Sequence, residues 1–212
     1  LVGSEMCIRD RLKGEGLGPA AARNIGWRSA QSPIILFTDD DCEPANTWAA
    51  ELVGFLNKNT NFGGVGGEIR RIHESLPARF TDDLGCMLHP GADLEAHYLI
   101  SANAAYRREV LELVNGFSEN FPCAGGEDPE LSFRVRRQDI KLAKIPNALV
   151  LHNHPSSILG VYRMHFRYGR GAFGLATLGY GGSKSPGKLK NLYSEIAACF
   201  HEYIFREDLT IG

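Results

Sequence analysis

The features that would place this chain in a specialised class are largely absent. Its five cysteines are scattered without a Cys-x-x-Cys pair, which fits a reducing compartment better than a disulfide framework or a cysteine zinc site. No apolar run reaches the roughly 18 residues of a membrane span. A net charge of -2 gives no basic field for nucleic acid, and the opening LVGSEMCIRD lacks the pattern of a signal peptide. These absences predict a soluble, cytoplasmic protein without a nucleic-acid partner.

The composition that remains is that of a globular domain. Of the 212 residues, 43% are hydrophobic, which is enough to build a core. Residues 1–11 match nothing that follows and resemble translated adapter sequence, so we expect a non-native tail there. We place the folded domain at 12–155 and a helical C-terminal extension at 156–212.

Strands and helices are predicted to alternate along the chain. The helices are expected near 19–30, 47–57, 107–114, 125–138, 156–178 and 188–205, with a short one in the loop at 73–97. The strands are expected near 34–37, 63–69, 140–145 and 147–152. Because residues 34–37 are apolar without alternation, that strand should be buried on both faces. The expected class is α/β, with a mainly parallel sheet flanked by helices and with the first strands of such a fold missing.

Three consecutive aspartates, Asp39, Asp40 and Asp41, follow the apolar strand. Ligands of open α/β sheets bind outside the carboxyl ends of strands, so the location suits a site. Adjacent like charges disfavour mutual ionisation unless a cation neutralises them, and Asp39 and Asp41 point the same way in an extended chain, so both are candidate ligands of one metal ion. Oxygen ligands favour Mg²⁺ or Mn²⁺. The alternative is a polar turn in which one aspartate caps the next helix.

A second acidic group opens a later helix, where Glu127 and Asp128 precede Pro129. Proline suits the first helical position, which predicts Asp128 as the N-cap. A capping carboxylate beside glycines can also serve as a general base if partial desolvation raises its pKa. We predict both roles for Asp128, with the cap alone as the alternative. Arg134 lies one turn beyond Glu130, with which it can form a simple ion pair.

His152 and His154 lie two residues apart at the end of a predicted strand and therefore share a face. Neutral imidazole is a common metal ligand, so one of them could complete the aspartate site. The alternative is an ordinary histidine at a strand end.

The helix at 156–178 is basic and aromatic, with Arg163, Arg167 and Arg170 interleaved with aromatic residues. It could contact a membrane surface or a phosphate-bearing substrate. A solvated basic face over a packed aromatic stripe is the alternative.

Five segments occur in an order that is similar to one known family. They are ARNIG (22–26), ILFTDDDCEP (35–44), SANAAYRREVLELVNGF (101–117), GGEDPELSFRVRR (125–137) and HNH (152–154). Together they resemble the family-two glycosyltransferases of the GT-A fold, over about residues 22–171. The resemblance implies a partial GT-A domain that binds a nucleotide-sugar donor, whose diphosphate is bridged by a divalent cation. It also implies that the acceptor hydroxyl attacks the anomeric carbon with inversion.

The resemblance assigns a role to each candidate residue. Asp39 and Asp41 look like the Asp-x-Asp pair, with Asp41 the metal ligand, Asp39 nearer the ribose, and His152 a late metal ligand. Asp128 resembles the base that deprotonates the acceptor. The candidates for contact with the donor are Arg23, Asp39, Asp40, Asn103, Glu127 and Arg134.

The resemblance also bears on processivity, acceptor and location. The Gln-x-x-Arg-Trp signature of processive members is absent after Asp128, where RVRRQDIKL follows, so single additions are expected. The acceptor is expected to be a glycan or glycolipid of bacterial polysaccharide assembly at the inner face of the cell membrane. Two alternatives stay open. One is a non-catalytic nucleotide- or sugar-binding module, and the other is a haloacid-dehalogenase-type phosphohydrolase, although Glu43 stands where that class has Thr or Val.

Overall fold

The computed structural model describes residues 12, 16, 18–85, 87–121 and 124–180. Its helices are α1 (Pro19–Ser29), α2 (Trp48–Lys58), α3 (Leu76–Asp83), α4 (Arg108–Leu113), α5 (Glu127–Arg136) and α6 (Ile158–Thr177). Its strands are β1 (Ile34–Phe37), β2 (Cys42–Pro44), β3 (Phe62–Arg71), β4 (Ala104–Arg107) and β5 (Lys141–His152). A 3₁₀ turn at Ser101–Asn103 precedes β4. The expected tail at 1–11 and the predicted helix at 188–205 lie outside the described residues.

The five strands form one mixed sheet in the order β1-β4-β3-β5-β2. Strands β3 and β5 are parallel neighbours, and β4 lies antiparallel between β1 and β3. Strand β2 pairs antiparallel with the end of β5. The α/β class is confirmed, but the sheet is mixed rather than mainly parallel. Only β1, β3 and β5 share a direction. β4 has four residues and β2 three, which is too short to leave a recognisable period in the sequence.

The core occupies both faces of this sheet. On one face Ile35 and Phe37 of β1 pack with residues of α1, α4 and α5. On the other face Ile34 packs with Leu52 and Leu56 of α2. Strand β1 is therefore covered on both sides, as its continuous apolar run predicts.

Strand β5 is continuous, whereas two separate strands were predicted. The interruption in its pattern is a bulge, because the register against β3 shifts between Gly66 and Glu68 while β5 advances from Lys144 to Leu149. Pro146 lies in this stretch, where β5 is not paired with β3, so its missing N–H costs no hydrogen bond between the strands. A Cβ at Gly67 would lie 2.0 Å from the carbonyl oxygen of Ala148. Gly67 therefore allows the backbones of β3 and β5 to approach closely at the bulge.

Helix α6 packs against the loop that leads into α5. A Cβ at Gly171 would lie 2.0 Å from the carbonyl oxygen of Gly125, so the two backbones are in direct contact. Gly126 has φ of 99° and is the N-cap of α5. None of the helices in the described part of the chain is both long enough and apolar enough to cross a membrane.

Candidate active site

One cluster of potential metal ligands lies at the end of the sheet. Cys42 of β2 is paired with His152 of β5, so the two side chains share a face. Asp41 immediately precedes β2, and its Oδ1 lies 3.5 Å from Nε2 of His152. The ligand atoms of Asp41, Cys42 and His152 all lie within 4.8 Å of one another, and no other His, Cys, Asp or Glu trio in the described ranges is so close. We call these three residues the metal-ligand group.

The chemistry of the metal-ligand group suits a divalent cation. Asp41 is exposed and offers a carboxylate, while burial lowers the pKa of His152 and so favours the neutral imidazole that can ligate. Burial raises the pKa of the Cys42 thiol to about 11, so carboxylate and imidazole are the primary donors. The carboxylate oxygen fits Mg²⁺ or Mn²⁺, and the imidazole nitrogen favours Mn²⁺ over the harder Mg²⁺. Cys42 was not a sequence candidate; its position directly after the aspartates was the available signal.

Asp39 belongs to a second cluster, which is centred on Arg23. The Arg23 guanidinium on α1 donates to Oδ1 of Asp39 at 2.8 Å and to Oε1 of Glu127 at 3.0 Å. Glu127 is buried, and its Oε2 accepts a hydrogen bond of 2.6 Å from the backbone N–H of Gly125. Burial alone would lower the pKa of Arg23, but the charges of Asp128, Asp39 and Glu127 outweigh it and raise that pKa. Arg23 is thus a fixed cation that joins β1 to α5.

Asp128 lies beside this cluster, and its carboxylate is incompletely hydrogen-bonded. Its Oδ2 accepts from the backbone N–H of Ser101 at 2.9 Å and from the Ser101 hydroxyl at 3.1 Å. Its Oδ1 is shielded from solvent and has no hydrogen-bond partner among the residues that the structure describes. Burial raises the pKa of Asp128 to about 7; Glu127 adds to this rise, whereas Arg23 and Ser101 oppose it. A carboxylate with a free oxygen and such a pKa is suited to take up a proton near neutral pH.

The predicted capping role of Asp128 is wrong. Helix α5 begins at Glu127, and its N-cap is Gly126, whose positive φ is accessible to glycine. Asp128 therefore lies within the first turn, and its side chain bonds Ser101 on another element instead of its own helix. Ser101 is a second residue that the sequence analysis did not single out.

The side chains of Asn103 and Arg134 are both held by hydrogen bonds to other groups of the protein. Asn103 is fully buried; its Nδ2 donates to the carbonyls of Glu68 and Ala148 at 2.8 Å, and its Oδ1 accepts from Trp48 at 2.7 Å. Its amide is thus occupied in joining β3, β5 and α2. These bonds give Asn103 a structural role, and its contact with the nucleotide-sugar donor stays a prediction.

Whereas Arg23 is paired with Glu127 at the start of α5, Arg134 lies in the last turn of that helix. Its guanidinium bonds both carboxylate oxygens of Glu130 at 2.7 Å and the carbonyl of Gly116 at 2.6 Å. The predicted pair with Glu130 is confirmed, but the structure does not bring Arg134 to the cluster around Arg23, because these bonds tie it to the loop after α4. Asp40 is exposed in the turn between β1 and β2.

Of the two histidines, only His152 belongs to the metal-ligand group. Nδ1 of His154 lies 3.1 Å from Nδ1 of His152, and Nε2 of His154 lies 2.7 Å from Oδ1 of Asp82. Asp82 in turn accepts from Arg71 at 2.9 Å. His154 is therefore one step removed from the site.

Comparison with known proteins identifies the family. Residues 4–114, just over half of the chain, match the family model described as Glycosyl transferase family 2. The pre-mycofactocin glycosyltransferases of two Mycobacterium tuberculosis strains, CDC 1551 / Oshkosh and ATCC 25618 / H37Rv, are each 28% identical to it over 166 residues. The match covers 75% of this chain, and the chain spans 35% of the length of those relatives.

The fold resembles that of a solved mannosyltransferase. The mannosyltransferase PcManGT from Pyrobaculum calidifontis, determined in complex with GDP-Man and Mn²⁺, superimposes with a TM-score of 0.51 at 15% identity. The match covers 90% of this chain and 68% of that chain. The likeness confirms the expected GT-A type of α/β fold. By its family match and its fold, the chain belongs to glycosyl transferase family 2.

Proposed function

We propose that this chain transfers a sugar from a nucleotide-sugar donor to an acceptor hydroxyl in a metal-dependent reaction that inverts the anomeric carbon. One sugar is added per encounter. The observation that carries the proposal is Asp128, a carboxylate with a pKa of about 7 and one oxygen that has no hydrogen-bond partner in the described part of the chain. It stands beside Arg23, which bridges Asp39 and Glu127 at the carboxyl end of β1.

Asp41 and His152 would hold the cation, with the Cys42 thiol beside them. A bound divalent cation offsets the charge that develops on the leaving nucleoside diphosphate. PcManGT, which shares the fold, was solved with GDP-Man and Mn²⁺, and this supports a nucleotide-sugar donor and Mn²⁺ for this chain. The ligand chemistry of the metal-ligand group agrees with that choice.

Asp128 is proposed to remove the proton from the acceptor hydroxyl. Ser101 occupies Oδ2 with two hydrogen bonds, which fixes the carboxyl plane and leaves Oδ1 to receive the proton. A base placed in this way typically contributes roughly 10²–10⁴-fold to the rate. A hydroxyl deprotonated where it attacks can displace the leaving group in one step, and such a displacement inverts the anomeric carbon.

Arg23 is proposed to organise the donor side of the site. Its two ion pairs hold Asp39 at the end of β1 and Glu127 at the start of α5. Asp39 is proposed to lie nearer the ribose than the metal, because its carboxylate is engaged with Arg23 and lies outside the metal-ligand group.

Helix α6 is proposed to contact the membrane that carries a glycolipid acceptor. Its exposed large apolar side chains are 55–66% accessible and recur at helical spacing: Ile158, Leu159, Tyr162, Phe166 and Phe173. Arg163, Arg167 and Arg170 lie on the same helix, as in helices that rest on anionic lipid surfaces. Flotation with vesicles of phosphatidylglycerol and phosphatidylcholine tests this contact. The double variant Tyr162→Ser, Phe166→Ser should lose binding, and equal flotation would contradict it.

The metal and donor assignments are tested by thermal unfolding of the full chain with MnCl₂ and UDP, GDP or dTDP. A ligand at about 100 times its dissociation constant adds about 2.7 kcal/mol to the free energy of unfolding. We expect a Mn²⁺-dependent rise with one nucleotide, which Asp41→Ala abolishes. Glu43→Ala is the matched control, because Glu43 is a nearby exposed acid of β2 whose side chain points to the opposite face from those of Cys42 and His152. Equal rises in both variants would contradict the assignment.

A further inference from the structure

A line of hydrogen-bonding groups lies behind the metal-ligand group. His152 presents Nε2 to Asp41, and its Nδ1 lies 3.1 Å from Nδ1 of His154. Nε2 of His154 lies 2.7 Å from Oδ1 of Asp82, and Oδ2 of Asp82 accepts from Arg71 at 2.9 Å. The His154 side chain is completely buried, so water does not compete for these bonds.

The fold brings these groups together from three elements. Arg71, the last residue of β3, is paired with His152, the last residue of β5. Helix α3 follows β3 and brings Asp82 back to the strand ends, where the backbone N–H of Arg71 also donates to Oδ2 of Asp82 at 3.4 Å. Asp82 is thus anchored twice by Arg71, with its Oδ1 left to face His154.

The positions of the ring hydrogens in this line follow from the Asp82 carboxylate at its end. Asp82 is paired with Arg71 and is a carboxylate, which only accepts, so Nε2 of His154 must carry a hydrogen. A neutral imidazole carries one ring hydrogen, so Nδ1 of His154 is an acceptor. The neighbouring Nδ1 of His152 must then be the donor. Nε2 of His152 is left with a lone pair, and it is this atom that faces Asp41.

We propose that Asp82 and His154 are positioning residues that fix His152 in the tautomer whose Nε2 lone pair is directed at the metal-ligand group. Ligating histidines commonly have their second nitrogen held by a carboxylate or carbonyl, and here the carboxylate acts through a second imidazole. This explains why two histidines alternate at the end of β5 although one alone reaches the site. The inference deepens the proposed metal-dependent transfer and rests on it.

The substitution Asp82→Asn should exchange donor and acceptor in each hydrogen bond of this line, while the new side chain keeps the shape of the old one. Arg71 donates and so keeps the amide oxygen of the new residue, which turns the NH₂ group toward His154. Nε2 of His154 then becomes an acceptor, its Nδ1 becomes a donor, and the hydrogen of His152 moves to Nε2. The lone pair that would bind the metal is lost.

The first readout is the ¹⁵N chemical shifts of the imidazole nitrogens in the metal-free full chain. The wild type should show His152 protonated at Nδ1 and His154 at Nε2, and Asp82→Asn should show both reversed. A wild-type His152 protonated at Nε2 would overturn the inference. This measurement needs neither metal nor turnover, and it decides the matter on the wild type even where the variant fails to fold.

The second readout is Mn²⁺ affinity, titrated with MnCl₂ and followed by the electron paramagnetic resonance of free Mn²⁺. Asp82→Asn should bind roughly 10–100-fold more weakly, the usual effect of losing such an outer partner. Asp83→Asn, a neutralised acid at the next position of α3, is the matched control and should bind as the wild type does. Equal affinity of the wild type and Asp82→Asn would overturn the inference. A wild type that binds no Mn²⁺ but has the expected tautomers would instead contradict the proposed metal-dependent function.

Discussion

The substitution Asp128→Asn tests two expected properties of this carboxyl group, its role as the base and its titration near pH 7. It keeps the size of the side chain and an oxygen that can accept from Ser101, but removes the charge and the proton-accepting oxygen. If Asp128 is the base, transfer should fall by roughly 10²–10⁴-fold, while Mn²⁺-dependent nucleotide binding persists. In the wild type, the acidic limb of kcat/KM should lie at about pH 7, where the Asp128 carboxyl titrates.

The stability of the wild type should change over the same range of pH. The folded-state pKa of Asp128 is raised from 3.8 to about 7, so the folded chain binds more protons than the unfolded chain between these values. The free energy of unfolding therefore decreases as pH rises from 4 to 7 and is level above that. A tenfold change in proton affinity is worth about 1.4 kcal/mol, which makes this loss roughly 2–4 kcal/mol after allowance for the partial exposure of Asp128.

Urea unfolding at pH 4 and pH 8 measures this difference. Asp128→Asn should lack the loss and should be more stable than the wild type at pH 8, because no buried charge forms. Asp139→Asn, at the other end of α5, is the control for removing one acid. If Asp128→Asn loses stability with pH as the wild type does, this carboxyl is not the titrating group, and its assignment as the base fails.

Three further substitutions test the surroundings of the base. Arg23→Met leaves the buried Glu127 carboxylate without its cation, so it should lower the free energy of unfolding in urea by about 3–5 kcal/mol. It should also move the acidic limb of the kcat/KM profile to higher pH, because the charge of Arg23 lowers the pKa of Asp128, and an unmoved limb would contradict this effect. Asn103→Ala leaves the indole N–H of Trp48 and two backbone carbonyls without their hydrogen-bond partner, so it should lower the free energy of unfolding by about 2–4 kcal/mol. The KM for the donor should not change, and a large rise in KM would indicate that Asn103 binds the donor. Gly171→Ala should lower the melting temperature, because its Cβ would lie 2.0 Å from the Gly125 carbonyl oxygen.

The parts of the fold that the sequence predicts well are those with strong local patterns. The apolar run of β1 and the proline-initiated α1 were predicted with bounds within one residue of the structure. The short strands β2 and β4 were missed because three or four residues carry no measurable period, and their place is decided by pairing with distant strands. The break in β5 was read as two strands because a bulge and a gap look alike in sequence.

The candidate site divides in the same way. Asp41, His152 and Asp128 could be proposed from their residue types, their spacing and the resemblance, because all three signals lie in the sequence itself. Whether an amide such as Asn103 faces a ligand or joins strands depends on tertiary contacts that no local pattern records. The partnership of Asp128 with Ser101 spans 27 positions and was equally invisible.

The contact of α6 with the loop before α5 has a mechanical consequence. Because Gly171 meets Gly125 backbone to backbone, no side chain lies between them to yield when the helix is displaced. The loop continues directly into Glu127, whose carboxylate bonds the N–H of Gly125. We therefore expect a displacement of α6 to move the Gly125 backbone with it, and so to shift the Glu127 carboxylate that is bonded there.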